Sequence, residues 1–539
     1  MKPYLNGVSG KNKSDITTLA GGLNMCNSKV FINDNQMAWM MNLAIYDLPV
    51  LSTRSDRLSV AWFMEDTNLY ATGKVAKIFT SSSKNLYTIE EKEENAHVYL
   101  YEVESSNNLK KTYVGNVSKS ARYYVTECRD AENVYLYIST NTKIYFLTEG
   151  TEGIVELEDV PHGIVAGHKN RLFVGNGTSL KFSHLREYDN FTITEDDPTN
   201  TAGEINITNA KGNITAMISY DDKLIIFCER SWHVLYGDSP NPEVNQFSLV
   251  DMDDQIGCIS SETVTICNRM LYWMDWNATV YQYNGASLVK VSEPFGDDGY
   301  GGIKNLEITQ SKKKNIIMSN YDNYLHIVVT TSLLYDAPND TMIVYDTNNK
   351  VWWLEDGEFS TLCKWETDDK VPYANKSDYL LGAKYNGDIQ ILNMHTRGGN
   401  DVEFNVDTRG FDTNDIQYTF ETKTWLLGAV RHTKTLTDIW FEAAADATVF
   451  ACDYLTKSDS SSRYLKLGKL KMPNYYDMLE PHFHGHEGEE RQRLIVPRMY
   501  MQKVNAFSLK VTGKGMAEFF MLEKNWRIKW GYIQQQMKQ

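Results

Sequence analysis

Proline is scarce in this chain: twelve residues in 539, against 33 tyrosines and twelve tryptophans. Flat aromatic side chains pack well on pleated surfaces, so this balance favours strands and argues against a helix bundle. Cysteine is equally thin. Cys26, Cys128, Cys228, Cys258, Cys267, Cys363 and Cys452 are odd in number, dispersed and without a CxxC pair, which excludes a disulfide or zinc framework and fits reduced, buried thiols. Basic charge is deficient. The 54 Lys and Arg are outnumbered by 70 Asp and Glu, a net charge of −16, and such a surface is not made for gripping nucleic-acid phosphates. Long apolar runs are missing too. Met37 to Leu51, the most apolar stretch near the start, is interrupted by Asn42 and Asp47 and is too short to span a bilayer. The opening residues lack the apolar core of a secretory signal, so neither export nor membrane residence is expected. The GxSxG and HExxH hydrolase signatures do not occur.

What is present is enough apolar material for a large core. At 42% hydrophobic and 23% charged residues over 539 positions, the chain reads as a folded protein of two to four domains. From about residue 95 to 395 a loose repeat runs through it. A turn residue followed by a large apolar residue opens a strand at Asn170-Arg171-Leu172, Asp222-Lys223-Leu224, Asn268-Arg269-Met270, Asn323-Tyr324-Leu325 and Asp378-Tyr379-Leu380, at intervals of 46 to 55 residues. Each strand is followed by a second, as in KLIIF then WHVLYG, with Asn386-Gly387 the best type I′ turn among the connections. Two earlier hairpins, HVYLYEV to KKTYVG and NVYLYIS to KIYFLTEG, extend the series. First strands such as Leu224-Ile225-Ile226-Phe227 are continuously apolar, so both sheet faces are covered. Covered hairpin units of about 50 residues are the sequence picture of β-propeller blades. The expected fold is all-β: a propeller of six or seven blades over 61–400, with residues 1–60 and 401–539 forming a β-sandwich-like platform. An array of ordinary sandwiches is the alternative architecture.

Residues 1–20 are polar and aperiodic and read as a mobile arm, or one ordered on assembly. TLTDIWFEAAADATVFACDYL, residues 435–455, reads as two strands, and FSLKVTGKGMAEFFMLEKNWRIKWG as a hairpin turning at Gly513-Lys514-Gly515 followed by another strand. Candidate chemistry is sparse. His482, His484 and His486 would share one face of an extended strand and are weak metal candidates, but their acidic, Gly- and Pro-containing surroundings suit a solvated loop, and no metal or other cofactor is expected. The acid pairs Asp196-Asp197, Asp253-Asp254 and Asp297-Asp298 could work as catalytic carboxylates at a channel mouth, yet neighbouring acids on a loop usually face water. Lys312-Lys313-Lys314 reads as a solvated turn, and SEPFGDDGYGGI as a linker between blades.

The runs HKNRLFVGNGTSLKFSHLREYDNFT, AGEINITNAKGNITAMISYDDKLIIFCERSWHVLYGDSP and QIGCISSETVTICNRMLYWMDWNATVYQYNGASLVKVSEPF resemble the propeller of tail hub or nozzle (tail tube) proteins of short-tailed bacteriophages. GGLN at 21–24, with Asp34-Asn35-Gln36, Asn42 and Arg54, is similar to that family's opening segment, although Ser52 and Thr53 precede the arginine where a glycine is often found. The closing strands are similar as well. The resemblance implies a structural, non-enzymatic virion component assembled in the host cytoplasm. Copies would close a ring, six-fold by this analogy, below the portal and head–tail adaptor proteins, with distal fibre, needle or plug proteins beneath. Genomic DNA would pass through the lumen without sequence-specific binding. Leu23, Asn24, Asp34, Trp39, Arg54, Trp526 and Trp530 are the interface candidates. A second reading is a carbohydrate-binding or glycoside-cleaving propeller, with Trp273, Trp276, Trp352 or Trp353 as platforms and Asp254 or Asp298 as acids.

Overall fold

The computed structural model describes residues 12–529, apart from 294–305, 368–377, 428–432, 454–462, 473–490 and 497–505 and short stretches at 27, 65, 71–72, 105–107, 152, 307, 309–310, 333, 335–337 and 395–397. The regular structure of the described chain is almost entirely strand, and it forms a seven-bladed β-propeller with a second β body built from the segments before and after it in sequence.

Each blade is an antiparallel four-stranded sheet. Blade 1 spans residues 74–118, blade 2 124–157, blade 3 164–206, blade 4 214–253, blade 5 264–290 and blade 6 317–356. Blade 7 takes three strands from 359–391, and its fourth, Leu58–Ser59, comes from the other end of the sequence. The ring is thereby closed by a strand from before blade 1. Asn400–Asn405 then touches Leu58 in parallel, and its hairpin partner Gly410–Asp415 widens this sheet.

The repeat visible in the sequence corresponds to the second and third strands of each blade. Arg171–Asn176, Lys223–Cys228, Met270–Met274, Tyr324–Val329 and Asp378–Lys384 begin where the turn residues predict. In blades 3 to 6 the residues before them form two-residue hairpin turns with positive φ, such as 48° at Asn268 and 62° at Arg269, which matches the right-handed twist of the strands they join. Asn386-Gly387 turns the chain differently from expectation. Only Gly387 has positive φ, and its N–H bonds Lys384 O, giving a three-residue loop that ends in a left-handed glycine. Leu224, Ile225, Ile226 and Phe227 are all fully buried, as continuous apolar strands require when blades cover both faces. Phe227, Trp232 and Trp273 pack together between blades 4 and 5.

The second body is one nine-stranded sheet folded back on itself. Its spine is the antiparallel pair Thr433–Asp453 and Phe507–Lys529, 21 and 23 residues long. The stretch 435–453 is therefore one bent strand where the sequence suggests two. Gly513-Lys514-Gly515 likewise makes no hairpin: the strand runs through it, with Gly515 at φ 76°. Register shifts opposite, between Glu442 and Ala443 and between Ala445 and Ala447, bend the pair without breaking it. One half carries Gln417–Thr422, Met37–Met41 and Arg463–Leu470. The other carries Asn12–Ile16, Leu51–Thr53 and Arg491–Ile495. Phe420, Phe441 and Phe519 meet in the fold between them. Of the segment 1–20 expected to be a mobile arm, residues 1–11 lie outside the described residues, whereas residues 12–16 pair with 522–526 and Ile16, Leu19 and Ala20 are buried, because those three apolar residues give the segment a face to bury. Among the described residues no helix is long and apolar enough to cross a membrane.

Candidate functional site

Three places gather polar side chains: the seam between propeller and platform, the mouth of the propeller channel, and the middle of blade 4.

At the seam Arg54 is completely buried. Its guanidinium forks onto both oxygens of Asp401 at 2.9 and 2.5 Å, and its Nε donates to Asp356 Oδ1 at 3.0 Å. Arg57 donates to Asp356 Oδ1 at 2.9 Å and Glu355 Oε2 at 3.2 Å. Asn42 completes the joint, donating to Asp356 and Gln417 O while accepting from the Asp356 N–H. Burial pushes the Asp356 carboxyl up, but the charges of Arg57 and Arg54 outweigh it and hold the group at about 2. Burial pulls Arg54 down, and Asp356 and Asp401 more than reverse this. His326, buried beside the seam, is pushed to about 3 by burial and by the charge of Arg57. The cluster is a clamp within one chain.

Arg54, one of the interface candidates, is thus buried, with its side-chain hydrogen bonds made to Asn42, Ser55, Asp356 and Asp401. Leu23 and Trp526 also lie inside, at 2% and 9% exposure, in the platform core. Asn24 bonds Gln36, and Trp39 packs half-buried against that core. Asp34 is exposed and pairs with Lys423 at 2.9 Å. Trp530, His482, His484, His486 and the Asp297-Asp298 pair lie outside the described residues. The linker segment SEPFGDDGYGGI also falls almost wholly outside them.

The channel mouth lies where the innermost strands begin. Lys77 of blade 1 reaches Glu262, ahead of blade 5, at 2.5 Å, and Arg122, ahead of blade 2, donates to the carbonyl of Lys314, ahead of blade 6, at 2.5 Å. Both contacts span the ring. The Lys312–Asn315 turn is not the solvated element expected from its charge: Lys312 is buried, Lys313 donates to Trp276 O at 2.5 Å, and burial lowers the Lys313 pKa. Of the four candidate aromatic platforms, Trp273, Trp352 and Trp353 are buried between blades or against the platform. Trp276 is partly buried at the mouth, packed against the core, and shares a cavity wall with Asp254. Asp253 caps the N–H groups of Gln255 and Ile256, and Asp197 accepts from Asn200, so these acids organise turns.

Blade 4 holds an arrangement that no sequence motif announced. Ser231 Oγ lies 3.0 Å from His233 Nε2, and His233 Nδ1 lies 2.7 Å from Asp251 Oδ1, the connectivity of a nucleophile, its base and the base's orienter. Ser231 is 1% exposed and its Oγ already accepts the Lys211 N–H. No substrate carbonyl can reach it, and the trio ties neighbouring strands together. The signal available in sequence was only Ser-x-His, since Asp251 sits a strand away.

No protein-family model and no curated protein sequence matches this chain. Among solved structures it is similar to Raptor of Chaetomium thermophilum at 10% identity and a TM-score of 0.38, covering 62% of this chain and 28% of that one. It is also similar to the Cps50 (Swd1) β-propeller domain of Myceliophteria thermophila, at 10% identity, TM-score 0.37 and coverage of 59% and 97%. A third is the extracellular domain of the putative one-component system BT4673 of B. thetaiotaomicron, at 10% identity, TM-score 0.39 and coverage of 88% and 64%. The chain thus spans under a third of Raptor, and likenesses of this grade carry no function.

Proposed function

We propose that this chain is a structural subunit of a bacteriophage tail hub or nozzle, assembling as a ring whose lumen conducts DNA and whose faces dock an adaptor above and distal tail parts below. The observation that carries the reading is the platform: both ends of the chain build a second β body with edge strands. Among the described residues, Arg463–Leu470 and Arg491–Ile495 each hydrogen-bond to a strand on one side only, and they expose Tyr464 at 44% and Ile495 at 65%. Unpaired edges with apolar side chains are surfaces that a neighbouring copy can extend or cover, and head-to-tail contacts of that kind close into rings. The family resemblance of the propeller runs and the opening segment supports the same conclusion. The conduit would be the lumen between copies, because each propeller's own channel is crossed by Lys77–Glu262 and Arg122–Lys314. The net charge of −16 suits a wall that DNA must slide past.

The test is native mass spectrometry and electron microscopy of the purified chain, with immunogold labelling of phage particles from the source culture. Closed rings and gold confined to tails are expected. A chain that stays monomeric at tens of micromolar and is absent from every particle would overturn the proposal.

A further inference from the structure

We propose that neighbouring copies of this chain join by strand addition: the platform strand Arg463–Leu470 of one copy pairs with Ser248–Asp253, the outermost strand of blade 4, in the next. This rests on the assembly into rings proposed above and assigns the two surfaces that would make it.

Charge is divided unequally between the two bodies. Residues 61–400 hold 29 Lys and Arg against 48 Asp and Glu, whereas 1–60 and 401–539 together hold 25 against 22. The whole acidic excess belongs to the propeller, so a platform is drawn to the propeller of another copy while two propellers repel. The platform edge sharpens this contrast. Arg463–Leu470 contains Arg463, Lys466 and Lys469, is followed by Lys471, and has no acid. Lys466, Lys469 and Lys471 are exposed and form no ion pair among the described residues, and Lys510 adds a further cation over the ring of exposed Tyr464 at 4.9 Å. The carboxylates nearby do not cancel them: Asp453 stands opposite Arg463 in the register, Asp446 is exposed at the bend of the same strand, and Glu421 is bonded by Lys29. Lysines on an open edge deter a like strand and favour an acidic one.

Blade 4 supplies such a strand. Among the described residues Ser248–Asp253 pairs only with Trp232–Tyr236; it exposes Val250 at 41% and Met252 at 37%, and it contains Asp251 and Asp253 with no Lys or Arg. Blade 4 as a whole sets two cations, Lys223 and Arg230, against seven acids, with Lys211 and Asp254 adjoining. The other outer strands fit less well. That of blade 1 contains Lys110 and Lys111, and those of blades 2, 3 and 5 are four residues long or shorter. That of blade 6 is already bonded by the Leu23 and Asn42 N–H groups, and the hairpin that widens blade 7 ends in a strand whose Asp415 is held by Lys514 of its own platform. Blade 4 and the platform edge are different surfaces, so each copy gives one and receives one, the head-to-tail contact that closes a ring.

Full-length protein would be followed by sedimentation velocity as wild type, as Lys466→Glu with Lys469→Glu, and as Val250→Lys with Met252→Lys. All four positions are exposed, so both double variants should melt with wild type. Rings are expected from wild type, association weakened about tenfold or more in each double variant, and a two-copy species when the two variants are mixed, because the intact blade edge of one then meets the intact platform edge of the other. Hydrogen exchange should show the amides of 248–253 and 463–470 better shielded in the ring than in the protomer. Unweakened rings in either double variant, a mixture that stays protomeric, or unchanged exchange at either strand would overturn strand addition and leave the ring reading standing. A wild type that stays protomeric at tens of micromolar would overturn both.

Discussion

Arg54 shows what one buried charge can organise. It forks onto Asp401 across the seam of the molecule, 347 positions away in sequence, and both groups are sheltered from water. Replacing it with methionine strands a buried carboxylate, a change that typically costs about 3–5 kcal/mol. Calorimetry of Arg54→Met should show that loss, and adding Asp401→Asn should recover part of it; simple additivity of the two would refute direct coupling. Asp388 behaves in the opposite sense. Burial raises its carboxyl to about 6, although Ser59 and Tyr70 donate to it. The folded state therefore holds a proton that the unfolded chain releases near pH 4, and stability falls as pH rises from about 4 to 6. Asparagine does not titrate, so wild type should gain in melting temperature relative to Asp388→Asn between pH 7.5 and 5, and a pH-independent difference would exclude it. None of this was legible locally. Arg54 was singled out through a family resemblance, but its partners Asp356 and Asp401 come from two strands some 300 or more positions away in sequence, and no local pattern announces that it is buried among them.

Among the elements, the strands read best from sequence were the second and third of each blade, because they are continuously apolar and begin at turns that demand positive φ. Inner strands such as Ile214–Tyr220 mix buried and half-exposed positions facing the channel, and Tyr124–Arg129 has one fully buried residue, so neither gives a sustained period. The platform pair was misread for a related reason. Gly-Lys-Gly has the composition of a turn, yet Gly513 is there because a side chain at that point would run into the Tyr418 hydroxyl and the Asp446 carbonyl. Gly513→Ala should destabilise the platform by about 1–3 kcal/mol through that overlap, seen as a lowered melting temperature, and Tyr418→Phe should relieve it in part. Lys524, on the same strand, lies over the Trp425 ring at 4.1 Å and is lowered to about 8 by burial. A lysine depressed in the fold costs stability at neutral pH and recovers it as pH rises past 8. Lys524→Met should thus melt higher than wild type at pH 7, by a margin that narrows at pH 9.5; a margin that widens would contradict this account.

The molecule as a whole was legible as a propeller with a platform, since the repeat and its flanks differ in pattern, whereas the blade count required seeing that Leu58–Ser59 belongs to blade 7. A chain assembled into rings should sediment as one large species, and charge insertion at the exposed edge, Ile495→Lys, should shift it to the protomer without lowering its melting temperature; unchanged sedimentation would place the contact elsewhere. The closing strand also has a temporal meaning. Ser59 bonds Asp388, 329 residues further along, and the strands at Asn12–Ile16 and Met37–Met41 wait longer still for Phe507–Lys529 and Gln417–Thr422. At a synthesis rate of about 5–20 residues per second, Ser59 stays unmatched for roughly 15–65 seconds and Asn12–Ile16 for roughly 25–100. These early strands are thus among the last to find their places, and the nascent chain must be kept from pairing with its neighbours on the same messenger until the later strands emerge.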